Sequence, residues 1–371
     1  SIIFALIGIV YSKRFKGLNN YLVANRDIGV FSLTTSLVAS ALGTWILFGP
    51  ASAATWGGIG AVIGYSLGTA FPMLALIYLG TKLRNTYPAA MTLTEFIKKK
   101  FGKNFFKLVL ILTIFYMFIF LCAEVTAVAM LIQYISGTPL WLTSIIVITT
   151  TLIYTLYGGL RASIFTDNIQ FLIIITLLLI SSSYLLSLND VEFAFNSIKQ
   201  NAPHLLSVNY IPNFTAGLTF FIAVSATNLF HQGNWQRVFA AKNNDILKKS
   251  LLISFFIIIP IVFFMGFSGL VSISQNLNVN PDLAFFSILL KNQDKTLSLL
   301  VIILSISLTI STADTIINAI SSLVIVDGKD VLKLKVKYDF LKISKYFIII
   351  LSFIAFIIAS KGFSILYLFL L

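Results

Sequence analysis

Ser305-Ile-Ser-Leu-Thr-Ile-Ser-Thr-Ala-Asp-Thr315 lies inside an otherwise apolar segment running roughly from Leu297 to Val326. Six hydroxyls and one carboxylate fall within eleven residues that hydrocarbon should exclude. A polar group buried in lipid without a partner costs several kcal/mol. A lone Ser or Thr can bond back to a carbonyl of its own helix, which would make the hydroxyls harmless. Asp314 is harder to dismiss, because an acid inside a membrane span is by default a functional site. Helical spacing puts Leu308, Ser311, Asp314 and Thr315 in one column, with Thr312 turned about 100° away. Hydroxyl oxygens beside a carboxylate are hard ligands for a hard cation. The stretch therefore predicts a small-cation site in a membrane protein.

The rest of the chain agrees on the setting. Of its 371 residues, 58% are hydrophobic and 11% charged, and the mean hydropathy is +0.95. No soluble domain has that composition. Apolar segments fall at about 1–12, 29–55, 59–81, 106–135, 140–158, 165–187, 214–232, 250–272, 297–326, 344–360 and 363–371. This is an all-α polytopic membrane protein with about 11 transmembrane segments. The first and last break off inside apolar runs, so a chain truncated at both ends is expected. All but four of the 26 Lys and Arg residues, Arg161 and Arg237 among them, fall on alternate connections; the exceptions are Lys199, Lys291, Lys295 and Lys361. The positive-inside rule places the basic set in the cytoplasm. The net charge of +13 is thus topology and does not point to nucleic acid. Cys122 stands alone and forms no intrachain disulfide. Met91–Phe101 reads as an amphipathic interfacial helix capped by Thr92 or Thr94.

Two spans look interrupted. One carries Gly43-Thr44, Gly49-Pro50 and Trp56-Gly57-Gly58; the other carries Ser225–Asn228 and His231–Asn234. Paired interruptions in two halves point to an inverted-repeat transporter with its site at the breaks. Three acids lie within spans: Glu124, Asp167 and Asp314. Glu124 reads either as an acid bonded across helices or as a group facing the solute. Asp167 is close enough to Arg161 for a helix-end ion pair. His204 and His231 are far apart in sequence, so no histidine cluster supports an intramembrane enzyme.

Three runs in order, Tyr154–Gln170, Asn234–Asn243 and Ser311–Thr315, resemble the sodium:solute symporter family over essentially the whole chain. The Gly43–Trp45 and Tyr157–Arg161 runs suggest the urea active transporter branch. The resemblance implies a LeuT-type fold of five-plus-five inverted repeats, residues 29–187 and 214–371. Residues 1–28 would precede them as a helix and cytoplasmic loop, and 188–213 would be an external loop. It implies sodium-driven uptake of a small solute by alternating access, in the cell membrane, with the lipid bilayer and the solute as partners and a monomer as the working unit. Sodium would be held by the carbonyls of Ala39, Leu42 and Leu308 and the hydroxyls of Ser311 and Thr312. The acid that some members carry on the first broken helix is Ala41 here. A second sodium would use Asp167, Ser311, Asp314 and Thr315. The solute pocket would draw on Trp45, Phe48, Glu124, Asn228 and Gln232, with His231 nearby. A proton-coupled transporter, or a transporter-like sensor, is the alternative.

Overall fold

The computed structural model describes residues 2–15, 17–188, 191–275, 280–292, 294–332 and 339–370. The helices in the first half are α1 (Ile2–Ser12), α2 (Leu18–Val23), α3 (Val30–Ala41), α4 (Gly49–Thr86), α5 (Leu93–Phe101), α6 (Lys103–Ser136) and α7 (Leu140–Leu188). Then come α8 (Val191–Asn201), α9 (Ile211–Phe230), α10 (Gln232–Ala240), α11 (Asn244–Ser274), α12 (Ala284–Leu289) and α13 (Lys295–Val326). The described chain ends with α14 (Gly328–Leu332), α15 (Phe340–Ala359) and α16 (Ile365–Leu370). Among the described residues the one β contact is a parallel bridge between Ile28 and Ala241.

Seven described helices are long and apolar enough to cross a membrane. Two of them are double. α4 breaks at Gly58 (φ 56°, ψ −153°) and α7 at Gly159 (φ 61°, ψ −160°). Such backbone is open essentially only to glycine. The sequence segments at 29–55 and 59–81 therefore meet across Gly58, and those at 140–158 and 165–187 across Gly159. The second half of α7 resumes directly after Gly159, earlier than the apolar pattern suggests, because Arg161 is a helical residue rather than a loop residue.

α3 stops at Ala41, and Thr44–Leu47 forms a 3₁₀ turn before α4. Pro50 explains the restart. Its ring would clash with the carbonyl four residues back, yet its fixed φ suits a first helical turn. The second break is narrower: His231 alone leaves helical geometry (φ −66°, ψ 108°) between α9 and α10. α4 packs closely on α9 and α11, and α13 packs on α7, α6 and α3. The closeness of α4 and α9 depends on small residues, since a side chain at Gly64 would strike the Gly217 backbone.

Gly58→Ala is expected to lower the melting temperature of the purified protein. Left-handed backbone alone costs an L-residue about 1–2 kcal/mol. A Cβ at Gly58 would also collide with the Leu205 backbone, whereas one at Gly137, where φ is 71°, would meet nothing. Gly137 (ψ 3°) is in the left-handed helical region that L-residues enter at modest cost, so Gly137→Ala should melt above Gly58→Ala on both backbone and packing grounds. Equal melting of the two variants would contradict the packing argument.

Candidate functional site

The first break presents unpaired backbone to the protein interior. The N–H of Thr44 donates to Glu124 Oε2 on α6 at 2.9 Å, and the Trp45 N–H also interacts with this carboxylate. The Thr44 hydroxyl reaches α13, donating to the Ser305 carbonyl at 2.8 Å and lying 2.5 Å from Thr309 Oγ1. Leu42 turns out of the helix (φ −99°, ψ 79°), and its N–H takes the Val38 carbonyl. The Ala39 carbonyl is left among the unbonded acceptors of a helix end. At the second break the freed carbonyls are covered locally. Asn234 Nδ2 donates to Asn228 O at 2.9 Å and Trp235 Nε1 to Leu229 O at 2.7 Å. Broken helices persist at membrane depth only with such satisfaction.

Beside the first break, α3, α7, α10 and α13 enclose a charged cluster. Arg237 of α10 is fully buried. Its Nη2 donates to Asp167 Oδ2 and to Thr315 Oγ1, each at 2.8 Å; its Nε donates to Ser36 Oγ at 2.7 Å. Ser36 Oγ donates to Asp167 Oδ2 at 2.5 Å, and Ser311 Oγ to Asp167 Oδ1 at 2.6 Å. The partner of Asp167 is thus Arg237 and not Arg161. Arg161 instead donates to the Ala24 carbonyl at 3.2 Å and lies 4.1 Å from the Phe15 ring centre. Nor is Arg237 a loop cation, as the charge pattern suggests; α10 folds it inward. Asp314 faces α7, accepting from Tyr154 at 2.6 Å and Ser163 at 2.8 Å. One helix face therefore divides: Ser311 and Thr315 join the Asp167–Arg237 pair, while Asp314 has its own hydroxyl shell. Thr312 Oγ1 is buried and has no hydrogen-bond partner.

The solute candidates separate in the same way. Trp45 and Asn228 line one cavity, with Tyr65, Phe120, Phe220 and Thr227. Glu124 lies one helical turn beyond Phe120, its carboxylate at the edge of the Trp45 indole. Phe48 is elsewhere, buried against Phe286 at a centroid distance of 4.9 Å. Gln232 is also elsewhere. It bonds the Leu93 N–H, the Met91 carbonyl and Ser322 Oγ, fastening α5 to α10 and α13. His231 caps α10 through Gly233 and meets Phe120 edge-on. Helix α5 itself carries the expected capping box, with Thr92 as the cap and Glu95 as its partner. Thr94 donates to Asp327 at 2.7 Å and Lys98 pairs with Asp330, so this face of the protein is latched. Burial pushes the Asp327 carboxyl up to about 7, with the Thr94 and Thr92 hydroxyls acting in the opposite direction. Ala24, Asn25 and Arg26, which lead into α3, all have positive φ. They are held by Arg161 and by the bond from Arg26 to Ala90 O at 2.8 Å.

Two broken helices packed on a hydroxyl-rich helix define a helical membrane protein of the LeuT-type inverted-repeat class. The chain belongs to the sodium:solute symporter family, whose model matches residues 21–364. It is 26% identical over 339 residues to the spermidine transporter DUR31 of Candida albicans, which covers 91% of this chain and 64% of that protein. The chain thus spans slightly less than two thirds of that relative. The sodium/proline symporter of Haemophilus influenzae is 28% identical over 225 residues, covering 57% of this chain and 43% of the relative. A solved structure of a Na+-coupled sialic acid symporter in a substrate-bound outward-open state superposes with a TM-score of 0.79 at 17% identity. It covers 96% of this chain and 79% of its own, which establishes the shared fold.

Arg237→Gln is expected to destabilise the protein strongly. Removing one partner of a buried ion pair costs about 3–5 kcal/mol, because a charge is left unpaired. Asp167→Asn should do the same, and the double variant should lose less than the two singles added together. Additive losses in thermal melts would show that the two side chains are uncoupled.

Proposed function

We propose that the protein is a secondary active transporter coupling sodium entry to uptake of a small polar organic solute, and that it is not an enzyme. The observation that carries this is the orphaned Thr312 hydroxyl, buried on α13 near the unwound end of α3. A buried hydroxyl without a partner is costly, and a hard cation removes that cost by taking its lone pair. Ala39 and Leu42 would offer carbonyls from the break, and Leu308, Ser311 and Thr312 would complete the set. A second sodium at Asp167, Ser311, Asp314 and Thr315 requires Arg237 to release Asp167 and Thr315. That site belongs to a different conformation from the one described.

In this reading residues 29–187 and 214–371 are the two repeats, and the protein works as a monomer in the plasma membrane. Sodium bridging α3 and α13 favours one conformation, the solute binds beside it, and opening of the latched face releases both. One charge moving through about 100 mV supplies about 2.3 kcal/mol. Coupling follows only because the ion binds the two conformations unequally. The names of the relatives include spermidine and proline transporters, so they do not select the solute. Placement near the urea active transporter branch rests on the Gly43–Trp45 and Tyr157–Arg161 runs alone. Asp314, a buried acid with hydroxyl partners, favours proton coupling as the second reading.

The two readings separate in proteoliposomes. Under sodium coupling, an inward sodium gradient drives solute uptake at constant pH. Thr312→Ala should raise the half-saturating sodium concentration about tenfold, which corresponds to about 1.4 kcal/mol. Thr312→Ser should stay near wild type. Uptake that follows a pH gradient and ignores sodium would overturn the sodium assignment.

A further inference from the structure

The cavity beside Glu124 is defined by what it lacks. Of the polar side chains lining it, Thr227 spends its hydroxyl proton on the Ala223 and Val224 carbonyls of its own helix. Asn228 Nδ2 donates to the Val224 carbonyl at 2.9 Å. The second Asn228 amide proton, the Tyr65 hydroxyl and the Trp45 indole N–H are the neutral donors of this wall. Among the described residues, no Lys or Arg lines the cavity. A carboxylate solute needs a cation or several N–H groups. A cation for a carboxylate is not among these side chains.

What the cavity does have is π surface, with the buried Glu124 carboxyl close to Trp45 behind the wall. Trp45 and Tyr65 stack at 5.5 Å between centroids, Tyr65 and Phe220 at 4.9 Å, and Trp56 approaches Phe220 at 5.7 Å. This aromatic column runs from Glu124 to a second cavity, of about 310 Å³, lined by Trp56, Ser52 and Asp282. Leu366 borders both cavities, so they adjoin. Asp282 accepts from Ser52 at 3.1 Å. Among the described residues neither Glu124 nor Asp282 has an ion-pair partner. Glu124 Oε1 is buried, and besides Thr44 the Trp45 N–H interacts with this carboxylate. The molecule thus places a carboxyl group near each end of an aromatic column and, among the described residues, no Lys or Arg on the walls of the two cavities. An ionised carboxyl attracts cations, and aromatic faces bind desolvated ammonium groups.

We propose that the solute is an organic cation, an aliphatic amine or quaternary ammonium. It enters past Asp282 and Trp56, and its charged nitrogen comes to rest between Glu124 and the Trp45–Tyr65 wall. The proposal rests on the symport reading and specifies its solute. It also assigns Glu124 two tasks. The carboxylate holds the Thr44 N–H that shapes the first break, and its remaining oxygen meets the ligand. Solute binding therefore acts directly on the segment whose carbonyls would hold sodium.

The test uses the full chain in proteoliposomes with an inward sodium gradient. Radiolabelled 1,4-diaminobutane, choline, glucose, L-proline and urea are each supplied, and binding of radioactive sodium is measured separately. Saturable sodium-dependent uptake of an amine, uninhibited by a hundredfold excess of glucose, proline or urea, is the expected result. Glu124→Gln keeps an acceptor for the Thr44 N–H but removes the charge. It should raise KM for the amine at least about tenfold with sodium binding retained. Should that variant fold poorly, Tyr65 supplies a second comparison. Tyr65→Phe keeps the ring face and should leave KM near wild type, while Tyr65→Leu should raise it about tenfold. Sodium-driven uptake of glucose, proline or urea with no amine uptake would overturn the cation assignment and leave symport standing. No sodium-dependent uptake of any solute and no sodium binding would overturn both. An unchanged amine KM in Glu124→Gln and in Tyr65→Leu would remove the site.

Discussion

A guanidinium taken wholly out of water must be matched by charge and hydrogen bonds, and the arrangement around Arg237 meets that demand. Asp167 supplies the charge; Ser36, Thr315 and the Gly233 carbonyl accept most of the remaining N–H groups. These partners come from α3, α7, α10 and α13. Each of the two broken helices is thereby held in register against α13 by a contact that is expensive to break. The count of charges has a further consequence. If Asp167 and Asp314 are both ionised, one guanidinium leaves a negative charge over. A sodium ion at Ser311 and Thr312, immediately beside them, would restore neutrality. Ion binding and the integrity of the cluster are then one electrostatic problem.

Much of this is legible in the sequence because membranes punish unsatisfied polar groups. Hydroxyls and an acid in one apolar run, and Gly-Pro punctuation in another, survive in a membrane chiefly where they line a site. The tertiary choices are not legible. Asp167 has two candidate cations, Arg161 and Arg237, and linear spacing favours the nearer one. The better clue is that Arg237 follows a long stretch free of Lys and Arg, four residues after the Gly233 that accepts one of its bonds. Phe48 illustrates a different failure. Three residues beyond Trp45, it would share a helical face with it, but the backbone from Leu42 to Phe48 is not α-helical and sends the ring to Phe286. Gln232 sits just past the second break and turns to α5 for a similar reason. Tyr65 and Phe220 cannot be picked out among 14 Tyr and 34 Phe. Only the approach of α4 to α9, permitted by facing glycines, makes them neighbours.

The latch at α5 and the strained approach to α3 bear on how such a site is emptied. Gln232, Thr94 and Lys98 tie α5 to α10, α13 and the residues after α13, while Ala24–Arg26 are held in left-handed backbone by contacts on the same face. Each such residue costs of order 1–3 kcal/mol and persists only while its surroundings enforce it. Opening this face breaks the hydrogen bonds and relieves the strain together, so the net difference between closed and open states is smaller than the bond count suggests. That would suit the proposed alternating access, which needs two states close in energy.

Both ligand sites meet on five residues. Ala39 and Leu42 face the proposed ion, Thr44 and Trp45 face Glu124, and Gly43 lies between them without room for a side chain. The Thr44 hydroxyl is bound to Ser305 and Thr309, one to two turns before Ser311 and Thr312 on α13. A ligand that draws the Glu124 carboxylate toward itself would change the pull on the Thr44 N–H, and the unwound segment would transmit that change to the Leu42 and Ala39 carbonyls, two and five residues away. An ion that fixes those carbonyls must in turn hold Thr44 and Glu124 in place for the solute. Linkage requires the two effects to be equal in free energy. In the proposed symport, the short break, rather than a relay through the helix bundle, would be enough to make sodium and solute bind as a pair.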